Sequence, residues 1–299
     1  MKYQKLWTDF KMKGIILAGG SGTRLYPATS AVCKQLLPVY DKPMIYYPLS
    51  VLMLSNIRDV LIISTREDLP KFKKLLGNGS LLGIKLSYAI QDKPRGLVDA
   101  FLIGKNFVKN EDVCLILGDN LFYGDGLPNL LENSSNYVER NKKAIIFSYT
   151  VSNPSSYGVV KFKKNKIINI KEKPKNPDSK DAIVGIYMYP NDVINLAKKI
   201  KKSKRNELEI TDLNNLYLKR KRLDLRKLGR GTAWFDTGTA ENLYEAGQLI
   251  RIMEKRVGYK IGCLEEIALK KKWINMDTYK KHLKKFFKSE YGKYLKEIL

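Results

Sequence analysis

Histidine is almost missing from this chain: its 299 residues contain one, His282, near the C-terminal end. Ser-His-Asp hydrolysis, imidazole-based zinc sites and HExxH peptidase chemistry need histidine elsewhere, so these activities are excluded. Cysteine is scarce as well. Cys33, Cys114 and Cys263 lie far apart and form no CxxC pair, which argues against a zinc ribbon or a disulfide framework and fits a reducing cytoplasm. No apolar run approaches the ~20 residues of a membrane span. Residues 1–11 lack the continuous apolar stretch of a signal peptide and read as a polar extension, with Met12 a second candidate start. The chemistry must therefore run on carboxylates, lysines, arginines and backbone amides.

Positive charge is what the chain has in excess. Its 55 Lys and Arg against 30 Asp and Glu give a formal net charge of +25. Such a balance suits phosphorylated small molecules or nucleic acid as partners, and equally a solvated, lysine-rich surface. The basic runs at 198–204 and 270–272 carry few interleaved aromatics, which disfavours a nucleic-acid groove. A hydrophobic share of 44% is enough for a substantial core at this length.

Short apolar runs at 14–18, 60–64, 86–90 and 113–117 read as buried strands, and the segments 43–54 and 97–108 between them have helical spacing. This alternation predicts a largely parallel sheet with helices on both faces. From residue 144 the texture shifts to strands at 144–151, 158–162, 167–170, 183–189 and 223–228, with helices at 192–201 and 211–221. Residues 239–256 form the strongest helical pattern, with Thr239 as N-cap. The organisation expected is an α/β core over 12–238 and a helical C-terminal part of the same domain over 239–299.

The sharpest motif is Gly19-Gly20-Ser21-Gly22-Thr23-Arg24-Leu25, directly after the first strand. Glycines let backbone N–H groups approach phosphate oxygens, and Arg24 adds a cationic fork. A P-loop would need Gly-Lys-Ser/Thr, and the dinucleotide fingerprint a small residue where Leu25 stands, so neither applies. Lys34 brings a second charge to the same loop. Asp119, in Gly118-Asp119-Asn120, ends the 113–117 strand, where open α/β sheets bind ligands; it reads as a Mg²⁺ ligand or as a helix cap. Glu172-Lys173 follows another strand and reads as sugar-phosphate ligands or as a surface ion pair. Asp236 reads as a second metal carboxylate or as a cap, a role for which Thr239 competes.

Together these segments resemble the sugar-nucleotide pyrophosphorylases, a nucleotidyltransferase family. The resemblance is carried by LAGGSGTRLYP at 17–27, KQLLPVYDKPMIYYPLS at 34–50, LGDNLFYG at 117–124, the Glu172-Lys173-Pro174 stretch, ELEITD at 207–212 and GRGTAWFDTGT at 229–239. The stretch at 40–48 is similar to the family's thymidylyl branch. The resemblance implies a three-layer, Rossmann-like core with a mixed, mostly parallel sheet and a helical C-terminal appendage. It implies transfer of a thymidylyl group from dTTP to glucose 1-phosphate, Mg²⁺ as cofactor, and assembly as a homotetramer that needs neither nucleic acid nor membrane. It assigns Arg24 and Lys34 to the triphosphate on the loop of Gly19, Gly20, Gly22 and Thr23, and Asp119 and Asp236 to the metal. Gln91 and the backbone of Gly96 would read the base; Gly158, Glu172, Lys173 and Ile183 would hold the sugar phosphate. A glutamine amide matches an imide edge, and equally suits a satisfied loop position.

A sugar phosphate loses its second proton near pH 6, so its oxygen is already nucleophilic and needs no general base, in keeping with the missing histidines. Three departures from the family stand out. Where members read Pro-x-Gly-Leu-Ala-Gln-Ala, this chain has Val98 and Asp99; Cys33 replaces a common serine; and Asp125-Gly126 replaces His-Asp, which puts inherited feedback regulation in doubt. UTP or CTP as donor, a non-catalytic sugar-nucleotide binder and a nucleic-acid-binding protein remain as competing readings.

Overall fold

The structure, a computed structural model, describes residues 12–20, 22–164 and 166–299. The expected extension at 1–11 and Ser21 of the glycine loop lie outside the described residues. Strands β1 (Met12–Leu17), β2 (Pro38–Val39), β3 (Lys42–Pro43), β4 (Asp59–Ser64), β5 (Lys85–Ile90), β6 (Asp112–Leu117) and β7 (Asn120–Gly124) come first. They are followed by β8 (Ala144–Thr150), β9 (Gly158–Lys163), β10 (Lys166–Glu172), β11 (Asp181–Tyr189), β12 (Leu223–Lys227) and β13 (Thr232–Asp236). Helices α1 (Tyr46–Leu54), α2 (Leu69–Leu76), α3 (Asp99–Ile103), α4 (Lys105–Val108), α5 (Leu127–Asn141), α6 (Val193–Ala197) and α7 (Ile210–Lys219) are interspersed. The chain closes with α8 (Ala240–Val257), α9 (Leu264–Lys270), α10 (Met276–Phe286) and α11 (Glu290–Glu297).

Nine strands form one sheet in the order β10-β9-β11-β6-β1-β4-β5, with β8 and β12 branching from β11. β5, β4, β1 and β6 are parallel; β8, β12 and β9 share their direction because each is linked to β6 through antiparallel β11. Only β11 and β10 run the other way. The sheet is thus mixed and mostly parallel, as expected.

The period of two along β1 divides the core. Ile16 faces a cluster with Leu49, Ile62 and Ile116, while Ile15 and Leu17 face one with Leu61, Phe101 and Leu115. Ile15 and Ile16 are fully buried; burial on both faces is why the run reads as continuously apolar. Each such side chain contributes roughly 1.5–3 kcal/mol. Residues of α1, α5, α9 and α10 cover the first face, and residues of α3, α6 and α7 the second, giving three layers. Among the described residues no helix is long and apolar enough to cross a membrane.

Several boundaries differ from expectation. The 43–54 helix begins at Tyr46, because Lys42–Pro43 pairs with Pro38–Val39 instead. The 97–108 helix breaks at Gly104 into α3 and α4, and that at 192–201 ends at Ala197. Helix α5 was not expected from the sequence: its Asn- and Ser-rich stretch is polar overall and buries only Leu127, Leu131, Ser134 and Val138. Thr239 caps α8 as predicted, its side chain accepting from the Asn242 N–H. Ala246 and Ile250 of that helix pack on Val39, Tyr47 and Leu121.

Candidate active site

β1 and β6 are neighbours in register, so the residues that follow them, Gly19 and Asp119, emerge side by side at the carboxyl edge of the sheet. Gly20 and Gly22 take positive φ angles of 124° and 59°, and Gly22 opens a short 3₁₀ turn over Thr23–Leu25. That turn sends Arg24 outward while Leu25 anchors in the core. Lys34 sits in a second 3₁₀ turn, and its ammonium pairs directly with the Asp119 carboxylate. The Cys33 thiol fills a buried slot and donates to Gln35 Oε1 at 2.9 Å; burial pushes it up to about 12, so it is an inert packing group.

Asp119 does not cap a helix. The chain turns into β7, which pairs antiparallel with β13 so that Asn120 lies opposite Asp236. Thr237 binds the Asp119 carbonyl twice, through its N–H at 3.1 Å and its hydroxyl at 2.7 Å. Asp236 is therefore carried to Asp119 by a pairing that spans over a hundred residues. It does not cap α8 either, since Thr239 does. Burial and the facing charge of Asp119 push the Asp236 carboxyl above its ordinary range, with Lys34 and Arg24 opposing the shift. Arg24 Nη2 and Asp236 Oδ1 close on Gly238 from either side: an added Cβ there would stand 2.8 and 2.9 Å from them.

Asn120 is a buried hydrogen-bonding hub beneath the site to which the motif reading gave no role. Its Oδ1 accepts from Trp234 Nε1 at 2.7 Å and from Gly185 N–H at 3.1 Å, while its Nδ2 donates to Asp119 Oδ1 at 3.1 Å. It is 3% exposed. Removing it leaves two buried donors without a partner, so Asn120→Ala is expected to lower stability by about 2–4 kcal/mol, read as a shift of the urea midpoint. An unshifted midpoint would show that the hub carries no weight.

Two cavities meet at this edge. One of about 260 Å³ is lined by Arg24, Asp119, Asp236, Gly158, Lys173 and Ile183, among others. Gly158 and Glu172 lie opposite each other in the β9–β10 hairpin, and Ile183 arrives on antiparallel β11. Glu172 does not pair with Lys173, contrary to the surface ion-pair alternative. Its carboxylate accepts from the Thr211 hydroxyl at 2.5 Å and faces Arg205 at 3.4 Å, and Arg205 also reaches Glu207 and Glu209. Glu209 and Thr211 belong to the ELEITD stretch at 207–212 but were given no role there, and Arg205, just before it, was not anticipated. Lys173 has a φ of 41°, is exposed, and no described carboxylate pairs with its ammonium.

The second cavity, about 320 Å³, is lined by Gly20, Thr29, Lys34, Gln91, Asp92 and Pro94, among others. Gln91 follows β5 and donates through Nε2 to Asp99 Oδ2 at 3.0 Å. Gly96 bends the following loop at a φ of 103°, with a Cβ position only 2.5 Å from the Leu208 carbonyl, so a side chain there would part the two loops. Its carbonyl accepts from Asp99 N–H. The Lys34–Asp119 pair joins the two cavities, because Lys34 lines one and Asp119 the other.

The chain has parallels among known proteins. A family model described as nucleotidyl transferase matches residues 13–251. A glucose-1-phosphate thymidylyltransferase of Neisseria meningitidis is 50% identical over 289 residues, spanning 96% of this chain and 99% of its own. One from Mycobacterium tuberculosis is 49% identical over the same length. A Bacillus anthracis protein assigned as a glucose-1-phosphate thymidylyltransferase, solved in complex with sucrose, superposes with a TM-score of 0.74 at 40% identity, covering 80% of this chain and 95% of that one.

Proposed function

This chain belongs to the nucleotidyl transferase family, and we propose that it transfers a thymidylyl group from dTTP to glucose 1-phosphate, giving dTDP-glucose and pyrophosphate. The observation that carries the reading is the meeting of Asp119 and Asp236 with Arg24 and Lys34 at the junction of two cavities. One cavity, with the glycine loop and Gln91, suits a nucleotide. The other, with Lys173, Gly158, Glu172 and Ile183, suits a sugar phosphate.

The facing carboxylates fit a magnesium ion: both are hard oxygen donors, and burial together with the facing charge of Asp119 already raises Asp236. When bound there, Mg²⁺ supplies charge neutralisation for the triphosphate. The chain's own residues do the rest. Backbone N–H groups of the loop at Gly19, Gly20, Gly22 and Thr23 approach the phosphates, and the Arg24 fork binds two of their oxygens. Lys34 is held by Asp119 where the triphosphate meets the carboxylates. Lys173 draws the sugar phosphate against this anionic partner and fixes its oxygen in line with the α-phosphorus. Since that oxygen is already ionised at neutral pH, no residue has to accept a proton. Assembly as a homotetramer, cytoplasmic location and supply of dTDP-glucose to deoxysugar synthesis, rhamnose included, complete the reading.

Incubation with Mg²⁺, dTTP and glucose 1-phosphate should release pyrophosphate and form dTDP-glucose in equal amounts. Release that does not depend on glucose 1-phosphate would contradict it. Lys173→Gln is expected to raise KM for glucose 1-phosphate by about tenfold, one charge-assisted hydrogen bond, leaving KM for dTTP unchanged. An equal rise for both substrates would take Lys173 out of the sugar-phosphate site.

A further inference from the structure

The cavity beside the glycine loop contains one buried amide, Gln91, which is 4% exposed. Its Nε2 donates to Asp99 Oδ2 at 3.0 Å, and Asp99 is itself 3% exposed. The guanidinium of Arg95 reaches the same oxygen, its Nε at 3.3 Å, and is half exposed. A carboxylate paired with a guanidinium only accepts hydrogen bonds. The NH₂ end of Gln91 must therefore face Asp99, and the carbonyl end must face the other way. That end abuts the glycine loop: a Cβ on Gly19 would stand 2.8 Å from Gln91 Oε1. No described residue donates to Oε1.

The geometry points to Asp99 as the residue that sets nucleobase choice, by locking the Gln91 amide with its acceptor toward the nucleotide. Asp99 touches no substrate and acts as a positioning residue through Gln91. The inference rests on reading this cavity as the nucleotide site. A fixed acceptor rewards a ring N–H. Thymine and uracil carry one at N3, whereas cytosine has a lone pair at N3 and would set acceptor against acceptor. A site built to hydrogen-bond a group discriminates far more strongly than one that senses a methyl. The lock therefore separates imide pyrimidines from cytosine and is indifferent to the methyl that distinguishes thymine from uracil.

Asp99→Asn keeps the shape but replaces an obligate acceptor with an amide that also donates, so Gln91 is free to turn over. Binding of dTTP and of dCTP, each with Mg²⁺, is measured by titration calorimetry on the parent chain and on Asp99→Asn. The preference of the parent for dTTP is expected to shrink by about tenfold or more, through weaker dTTP binding and stronger dCTP binding. Equal loss for both nucleotides, an unchanged preference, or a parent that binds both alike would overturn the inference. Should circular dichroism show Asp99→Asn unfolded, Arg95→Gln loosens the same carboxylate from the surface and is expected to lower the preference by about threefold; an unchanged preference there overturns it equally. Because the readout is binding, failure of the parent to form dTDP-glucose would refute the proposed reaction and not this one.

Discussion

Asp119→Asn is expected to lower turnover by about three orders of magnitude while the protein stays folded. The asparagine keeps the shape and can still accept the Asn120 Nδ2 hydrogen bond at the position Oδ1 now fills. The two bonds from Thr237, through its N–H and its hydroxyl, go to the residue 119 carbonyl and do not involve the side chain of residue 119. The melting temperature should therefore move by no more than about 4 °C. What disappears is one of the two carboxylate charges proposed to face a cation, together with the partner that holds the Lys34 ammonium. Electrostatic groups aimed at charge developing during phosphoryl transfer are commonly worth about 10²–10³ each, and here two are disturbed at once. The loss should fall mainly on kcat, because the glycine loop and the Gln91 cavity remain to bind the nucleotide. Pyrophosphate release near the parent rate would remove Asp119 from the metal.

Arg24→Lys is expected to cut kcat/KM for dTTP by about a hundredfold, although the charge is kept. Arg24 projects from a 3₁₀ turn and lies with Asp236 Oδ1 against Gly238, where even a methyl group would strike both. A planar fork can bridge two phosphate oxygens from there, whereas an ammonium offers a point charge on a flexible stem. The measured quantity is the steady-state dependence on dTTP at saturating glucose 1-phosphate. A change below about threefold, less than one hydrogen bond is worth, would show that only the charge of Arg24 matters.

The parts of this site legible in the sequence are those whose meaning is local. The 14–18 run ending in glycines reads as a strand followed by a turn, and the strand and the positive-φ glycines after it were found where expected. Thr239 and the spacing after it define a cap and an amphipathic helix without outside help. Asp119 and Asp236 were visible as carboxylates after strands, but the pairing of β7 with β13 that brings them together depends on contacts distant along the chain. Asn120 was given no role from the sequence because its partners, Trp234 and Gly185, come from two other strands. Arg205 directly follows a basic run at 198–204 that resembles solvated surface, yet it faces three glutamates at the cavity proposed for the sugar phosphate. Asp99 stood out as a departure from the family pattern, and its contact with Gln91 is the observation on which the proposed positioning role rests.

Anomalous diffraction from crystals grown with Mn²⁺ and a non-hydrolysable dTTP analogue addresses the shared cation directly. We expect a single strong peak bonded to carboxylate oxygens of both Asp119 and Asp236 and to the triphosphate, with Arg24 on the adjoining phosphate oxygens. A peak on the triphosphate that touches neither aspartate would contradict the shared-cation site.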